Sequence, residues 1–203
     1  MPEIESTAGE TRQTNEEEIR KAISSFPSGS SGGPDGLKPI HLKDMTSMST
    51  GDEGLKLLSS ISRFTDMVLQ GTICQQALPI FFGARLCALE KKDGGIRPIA
   101  VGNTLRRIAG KVISQNIQLE MGRYLRPVQL GYGTKAGCEA AIHSIRQYIH
   151  EAHSSPRVIL KGDYSNAFNS ISRSRILQEV AEIAPRALPY ATSLRAKHPA
   201  VFW

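Results

Sequence analysis

The residue of this sequence best placed to do chemistry is a lone carboxylate at the end of an apolar run. Val158, Ile159 and Leu160 lead through Lys161 and Gly162 to Asp163, and two aromatics, Tyr164 and Phe168, follow. A short β-branched run bounded by Arg157 and Gly162 predicts a buried strand. Asp163 is then expected at the strand's carboxyl end, where α/β sheets present ligand sites. A charge there needs a partner, and a divalent cation holding phosphate oxygens is one such partner. Taken alone, the aspartate is read more simply as a turn cap. The rest of the chain decides between the two.

The cations point the same way. From Arg85 to Lys111 seven of them (Arg85, Lys91, Lys92, Arg97, Arg106, Arg107, Lys111) face two acids, Glu90 and Asp93, whereas residues 1–20 hold six acids against two arginines. The middle of the chain is therefore the part expected to meet an anion. Two apolar strands between Arg85 and Val101 flank Asp93-Gly94-Gly95, a strong hairpin signal. Lys91, Lys92 and Arg97 crowd its tip and return strand. A guanidinium there can grip phosphate bidentately, and lysine offers a point charge; a solvated loop gathers lysines as well. A helix is expected over Leu105–Tyr124, with Ile108, Ala109, Val112, Ile113 and Ile117 on one face. Arg106, Arg107 and Lys111 near its start oppose the macrodipole, which suggests that they are held for a ligand. The glycine-rich stretch Pro127–Gly137 enters another helix and could cradle phosphate, although no GxxxxGK[ST] spacing occurs. His143, His150 and His153 read as surface histidines, because HExxH spacing is not met.

Other elements position these groups. Thr14-Asn15-Glu16-Glu17 reads as a capping box, opening a helix whose Ile19, Ala22, Ile23 and Phe26 make one apolar stripe before Pro27. Pro34-Asp35-Gly36 is turn chemistry: proline presets φ, aspartate bonds its own backbone and glycine accepts positive φ. Leu57, Leu58, Ile61, Phe64, Met67 and Val68 mark an amphipathic helix within Leu55–Leu69, and Ser172 caps a helix over Arg173–Ile183. Pro185 and Pro189 bound a last short element.

At 203 residues, 40% of them hydrophobic, the chain suits one to two domains or a piece of something larger, and its net charge of +6 suits a polyanionic partner. Three cysteines with no CxxC support neither a disulfide framework nor a zinc ribbon and fit a reduced intracellular setting. No signal peptide or membrane-spanning run is visible, so a location in the nucleus and cytoplasm is expected.

Four motifs stand in the order of one family. Gly33-Pro34-Asp35-Gly36-Leu37, Arg97-Pro98-Ile99, Gln129-Leu130-Gly131-Tyr132-Gly133-Thr134-Lys135-Ala136-Gly137 and Asp163-Tyr164-Ser165-Asn166-Ala167-Phe168-Asn169 resemble the fingers and first palm motifs of a reverse transcriptase. The resemblance is closest to non-LTR (LINE-type) retrotransposons and covers residues 14–203. It implies an α+β fold: a right-hand polymerase's mostly helical fingers with a β-hairpin (residues 14–156), then an incomplete palm (157–203), after a disordered N-terminus (1–13). It implies RNA-templated DNA synthesis on a DNA primer from deoxynucleoside triphosphates by two-metal phosphoryl transfer. Asp163 would be the catalytic carboxylate and a ligand of Mg²⁺, with the Tyr164 backbone carbonyl beside it. Lys91 and Arg97 would hold the incoming triphosphate, backbone amides of Asn166 and Ala167 would meet phosphate oxygens, and the Phe168 ring would exclude a ribose 2′-OH.

The sequence also departs from that family. Gly162 sits where an apolar strand residue is usual, and the second palm acidic motif, aromatic-x-Asp-Asp, is absent. The acids after Asp163 are Glu179 and Glu182, both on an expected helix. One carboxylate cannot hold two divalent ions, so the chain is expected to be inactive alone, as a truncated element copy or a fragment of a longer gene. The alternative is a non-catalytic nucleic-acid-binding module derived from the fingers; a relic without function is a third reading.

Overall fold

A computed structural model of the chain describes residues 13–92, 94–151, 158–164, 170–194 and the backbone of 201–202. They form two units, Met1–Ser114 with Pro185–Trp203, and Gln115–Ala184. The fold mixes helix and sheet, compatible with α+β. Among the described residues no helix is long and apolar enough to cross a membrane.

The first unit begins with α1 (Glu16–Ser24). Its capping box lies one residue later than the sequence suggests. Asn15 accepts from the Glu18 amide and Glu18 reaches back to the Asn15 amide, because Thr14 is committed elsewhere. The Thr14 amide donates to Asp66 Oδ1 at 2.8 Å, and its carbonyl accepts from the Ser62 hydroxyl. That clip ties the start of α1 to α3 (Gly51–Leu69), which follows α2 (Pro39–Met45) and a single 3₁₀ turn. The α1 stripe is buried as expected. Ile19, Ala22, Ile23 and Phe26 join Leu42, Leu58, Ile61, Ile108 and Val112 in one core cluster. Removing this much aliphatic surface from water is the main force holding α1, α2, α3 and the stretch around Ile108 and Val112 together.

A short helix, α4 (Leu78–Phe82), precedes β1 (Ala84–Glu90) and β2 (Ile96–Gly102), the expected hairpin. They pair antiparallel, from Ala84 opposite Gly102 to Glu90 opposite Ile96. A two-residue strand β3 (Val201–Phe202) pairs parallel with the base of β1, giving the order β2-β1-β3. Pro98 lies on β2, an edge strand, where a missing N–H costs least.

The helix α5 (Thr104–Leu125) buries Ile108, Ala109, Val112 and Ile113, the face read from the sequence. The second unit takes up its remainder, then α6 (Gly137–His150) and α7 (Arg173–Ile183), and α8 (Leu188–Ser193) returns to the first unit. Leu177 of α7 is buried, whereas Ile176 beside it is 43% exposed.

The run Val158–Leu160 is a correction. The sequence predicts a buried strand, yet residues 158–164 form none, and Val158 and Leu160 are 84% and 93% exposed. A strand is held by a ladder with a neighbour, and among the described residues none pairs with this run. Its apolar residues alone cannot order it.

Candidate nucleic-acid interface

The hairpin is buried only at its base, at Ala84 and Gly102; from there to the tip both strands are largely exposed. Side chains alternate along a strand and cross-strand partners share a face. Arg97 pairs with Leu89, Ile99 with Cys87 and Val101 with Arg85. One face therefore carries Arg85, Cys87, Leu89, Arg97, Ile99 and Val101. The register places Arg97, chosen from sequence, on that face, and Lys91, also chosen, stands just past the end of β1 where the turn begins. The tip is closed by the Lys91 amide donating to the Gly95 carbonyl at 2.7 Å and the Gly94 amide donating to the Lys91 carbonyl at 3.0 Å. Leu89 and Ile99 are 51% and 36% exposed. Cations interleaved with bare aliphatic surface suit a nucleotide, whose phosphates want charge and whose base and sugar want apolar contact.

The Pro34-Asp35-Gly36 turn forms as its residues dictate. The Gly36 amide donates to the Gly33 carbonyl at 3.0 Å and the Leu37 amide to Asp35 Oδ1 at 3.2 Å, with Gly36 at φ +73°. The segment packs onto the corner between β2 and α5. A Cβ on Gly33 would lie 2.6 Å from Asn103 Cα, so only glycine fits that approach. The Thr104 hydroxyl donates to the Leu37 carbonyl beside it. The Gly33–Leu37 motif thus meets the start of α5, far along the chain, at the foot of the hairpin.

That corner also accounts for Arg106, expected to serve a ligand. The last carbonyls of α4 lack helical partners, as all helix ends do. Asn103 Nδ2 donates to the Phe81 carbonyl at 3.1 Å, and Arg106 donates to the Phe82 carbonyl. Arg106 is thus a structural cap. Burial pushes its guanidinium below the ordinary range; Tyr190 opposes that shift and Arg107 adds to it. Tyr190 of α8 packs 6.4 Å from the Phe82 ring. Burial raises its phenol above the usual 10.0, with Arg106 acting against the rise. No local pattern announces this docking, because α8 is a short element between prolines. Arg107 and Lys111 are different: both lie over the Phe26 ring.

In the second unit the glycine-rich loop is occupied with itself. Arg126 donates to the Gly133 carbonyl and to Thr134 Oγ1, each at 3.2 Å. A Cβ on Gly133 would come 2.9 Å from Gly122 Cα, so these glycines permit close packing of the loop on the end of α5. No side chain caps α6, and Ala136 before it is left-handed at φ +53°. His143 and His150 are exposed, as expected; His153 lies outside the described residues.

Asp163 stands on the exposed segment 158–164, next to Tyr164, which is 84% exposed. The Tyr148 hydroxyl donates to the Val158 carbonyl at 3.4 Å, a long bond that ties the start of the segment to α6. Asn166, Ala167 and Phe168 lie outside the described residues. No family model matches the chain, and no curated protein or solved structure matches it. Among the described residues no group of three or more His, Cys, Asp or Glu converges as a metal site would require. Asp163 with the Tyr164 carbonyl offers Mg²⁺ two oxygens, and octahedral coordination would have to be completed from elsewhere. These residues do not by themselves fit a two-ion site.

Proposed function

We propose that this chain is the fingers and the start of the palm of a non-LTR retrotransposon reverse transcriptase, a binder of RNA that is not catalytic on its own. The observation that carries the reading is the hairpin face, where strand register sets Arg85 and Arg97 beside exposed Leu89 and Ile99, with Lys91 at the adjoining turn. The approach of the Gly33–Leu37 segment to Asn103 and Thr104 supports it, since it sets one of the four motifs against the foot of the hairpin that carries another. RNA template, DNA primer and deoxynucleoside triphosphates are the partners of the complete activity, with Mg²⁺ as its metal. Asp163 and the Tyr164 carbonyl would give that metal part of its ligands. Phe168 would select the sugar, and the amides of Asn166 and Ala167 would meet phosphate.

The non-catalytic reading is favoured by a specific observation: segment 158–164 brings one carboxylate and no second. A primer-extension assay on the purified chain with Mg²⁺ is expected to give no product, and template-dependent DNA would sink that part. Single-stranded RNA binding is expected to weaken steeply with salt and to weaken further in Lys91→Ala/Arg97→Ala. Binding that ignores both salt and these changes would overturn the rest.

A further inference from the structure

Away from the hairpin face, three cations of the first unit converge on one aromatic residue. Phe26, at the end of the α1 stripe, is 4% exposed. Arg107 Cζ lies 4.8 Å and Lys111 Nζ 4.7 Å from its ring centroid. From α2, Lys43 Nζ donates to the Phe26 carbonyl at 2.7 Å. Arg107 also donates to the Ser31 carbonyl at 2.7 Å, which seats the serine-glycine loop beside the cluster.

Among the described residues the cluster lacks counter-charge. None of Lys43, Arg107 and Lys111 has a described carboxylate at ion-pair distance, as Lys56 has in Glu53 and Arg175 in Glu179. Arg107 and Lys111 are like charges four apart on one helix, which repel. Burial pushes Arg107 below the ordinary guanidinium range, and no anion offsets it. Each cation keeps donors to spare: Arg107 uses one guanidinium N–H group on Ser31, Lys43 uses one ammonium proton, and Lys111 meets only the ring face. Two of the charged groups lie over the Phe26 ring and the third is on its carbonyl, and all three residues are half-buried. A phosphate group set among them would relieve the repulsion and take the spare donors. Cations from two helices, spaced around a ring, suit successive phosphates of a chain better than one small ion.

We propose that Lys43, Arg107 and Lys111 form a second binding surface for the phosphate backbone of single-stranded RNA, separate from the hairpin face. It rests on the reading that the chain binds RNA. The surface acts electrostatically and carries no sequence preference. It positions the strand; the hairpin meets the nucleotide.

The test is fluorescence anisotropy of a labelled single-stranded RNA titrated with the full chain over a range of KCl concentrations. Lys43→Gln/Lys111→Gln leaves Arg107 on Ser31. The slope of log affinity against log salt is expected to fall by about 0.7 for each phosphate that is no longer neutralised, about 1.4 for both. Lys91→Ala/Arg97→Ala should lower the slope separately, and the four changes together should lower it by the sum. Lys43→Arg/Lys111→Arg should keep the original slope, and circular dichroism melting should show all variants folded. An unchanged slope in the folded glutamine variant, with a reduced slope in the hairpin variant, would overturn this surface and leave the RNA reading standing. A reduction in the arginine variant equal to that in the glutamine variant would also overturn it. Failure of the unaltered chain to bind RNA would overturn both.

Discussion

Ile19, Ala22 and Ile23 of α1 are at most 2% exposed, whereas Ile142, Ile145 and Ile149 of α6, also on a helical stripe, are 48–53% exposed. Both helices are amphipathic. Periodicity decides that a helix forms and which face is apolar; whether that face is buried depends on what else the chain brings to it. In the first unit α2, α3 and α5 cover α1, and side chains from distant residues tie the joints: Ser62 and Asp66 hold Thr14, and Arg106 holds the end of α4. In the second unit two of the ties between described residues are local. Arg126 holds the loop seven and eight residues ahead, and Arg175 pairs with Glu179 one turn away.

The sharpest way to break this contrast is by paired truncations. Leu58→Ala, at a fully buried site, is expected to cost about 2–5 kcal/mol in urea unfolding followed by circular dichroism. Ile145→Ala should stay within about 0.5 kcal/mol. Equal losses would mean that the α6 face is covered after all. Next in size is Arg106→Ala. Stranding the Phe82 carbonyl should cost about 1–3 kcal/mol, the usual penalty for a buried acceptor left without its donor, and Arg126→Ala, exposed in the second unit, should cost less in the same assay.

The helix starts differ too. Asn15→Ala removes a reciprocal cap and should cost about 1 kcal/mol. Ala136→Gly relieves a left-handed residue and should stabilise the second unit by up to about 1 kcal/mol, read as slower amide exchange in α6. A loss on Ala136→Gly would mean that the side chain there has a role of its own.

The smallest effect is alkaline. Burial holds the Tyr190 phenol above 10.0, so the folded state binds that proton more tightly than the unfolded chain. Its contribution is whole below pH about 10 and is lost as pH rises through the folded value. Arg106 and Arg107, held by burial below the ordinary guanidinium range, act in the opposite sense but at higher pH. Melting temperature should therefore fall from about pH 9 to about pH 11 more steeply than in Tyr190→Phe. Parallel curves would place the alkaline loss elsewhere.

What could be read from the sequence follows the same line. The α1 stripe, the α5 core face, Leu58, Ile61 and Val68 of the α3 face, the hairpin, the Pro34-Asp35-Gly36 turn and the span of α7 are local matters of period, cap and turn chemistry, and the structure has them; Met67, read onto the α3 face, is 47% exposed. The capping box moved by one residue because Thr14 has tertiary partners that no local pattern announces. Arg106 is a cap for α4, which could not be known before α4 and α5 were seen to meet. Val158–Leu160 failed for the opposite reason: a strand is a relation between two segments, and the apolar run describes one. Of the candidate residues, the place of Arg97 on the hairpin was legible because register follows from the turn. The place of Lys43 was not, since it is set by an approach to the Phe26 carbonyl across a helix interface.

The most direct measurement concerns Cys87, which shares the hairpin face with Arg97 and carries an exposed, free thiol. In a Cys74→Ser/Cys138→Ser background, its alkylation rate can be followed with and without saturating single-stranded RNA at low salt. If the hairpin face is the interface, bound RNA should slow alkylation several-fold, and Lys91→Ala/Arg97→Ala should remove the protection. A rate unchanged by RNA that is bound by anisotropy would contradict the assignment.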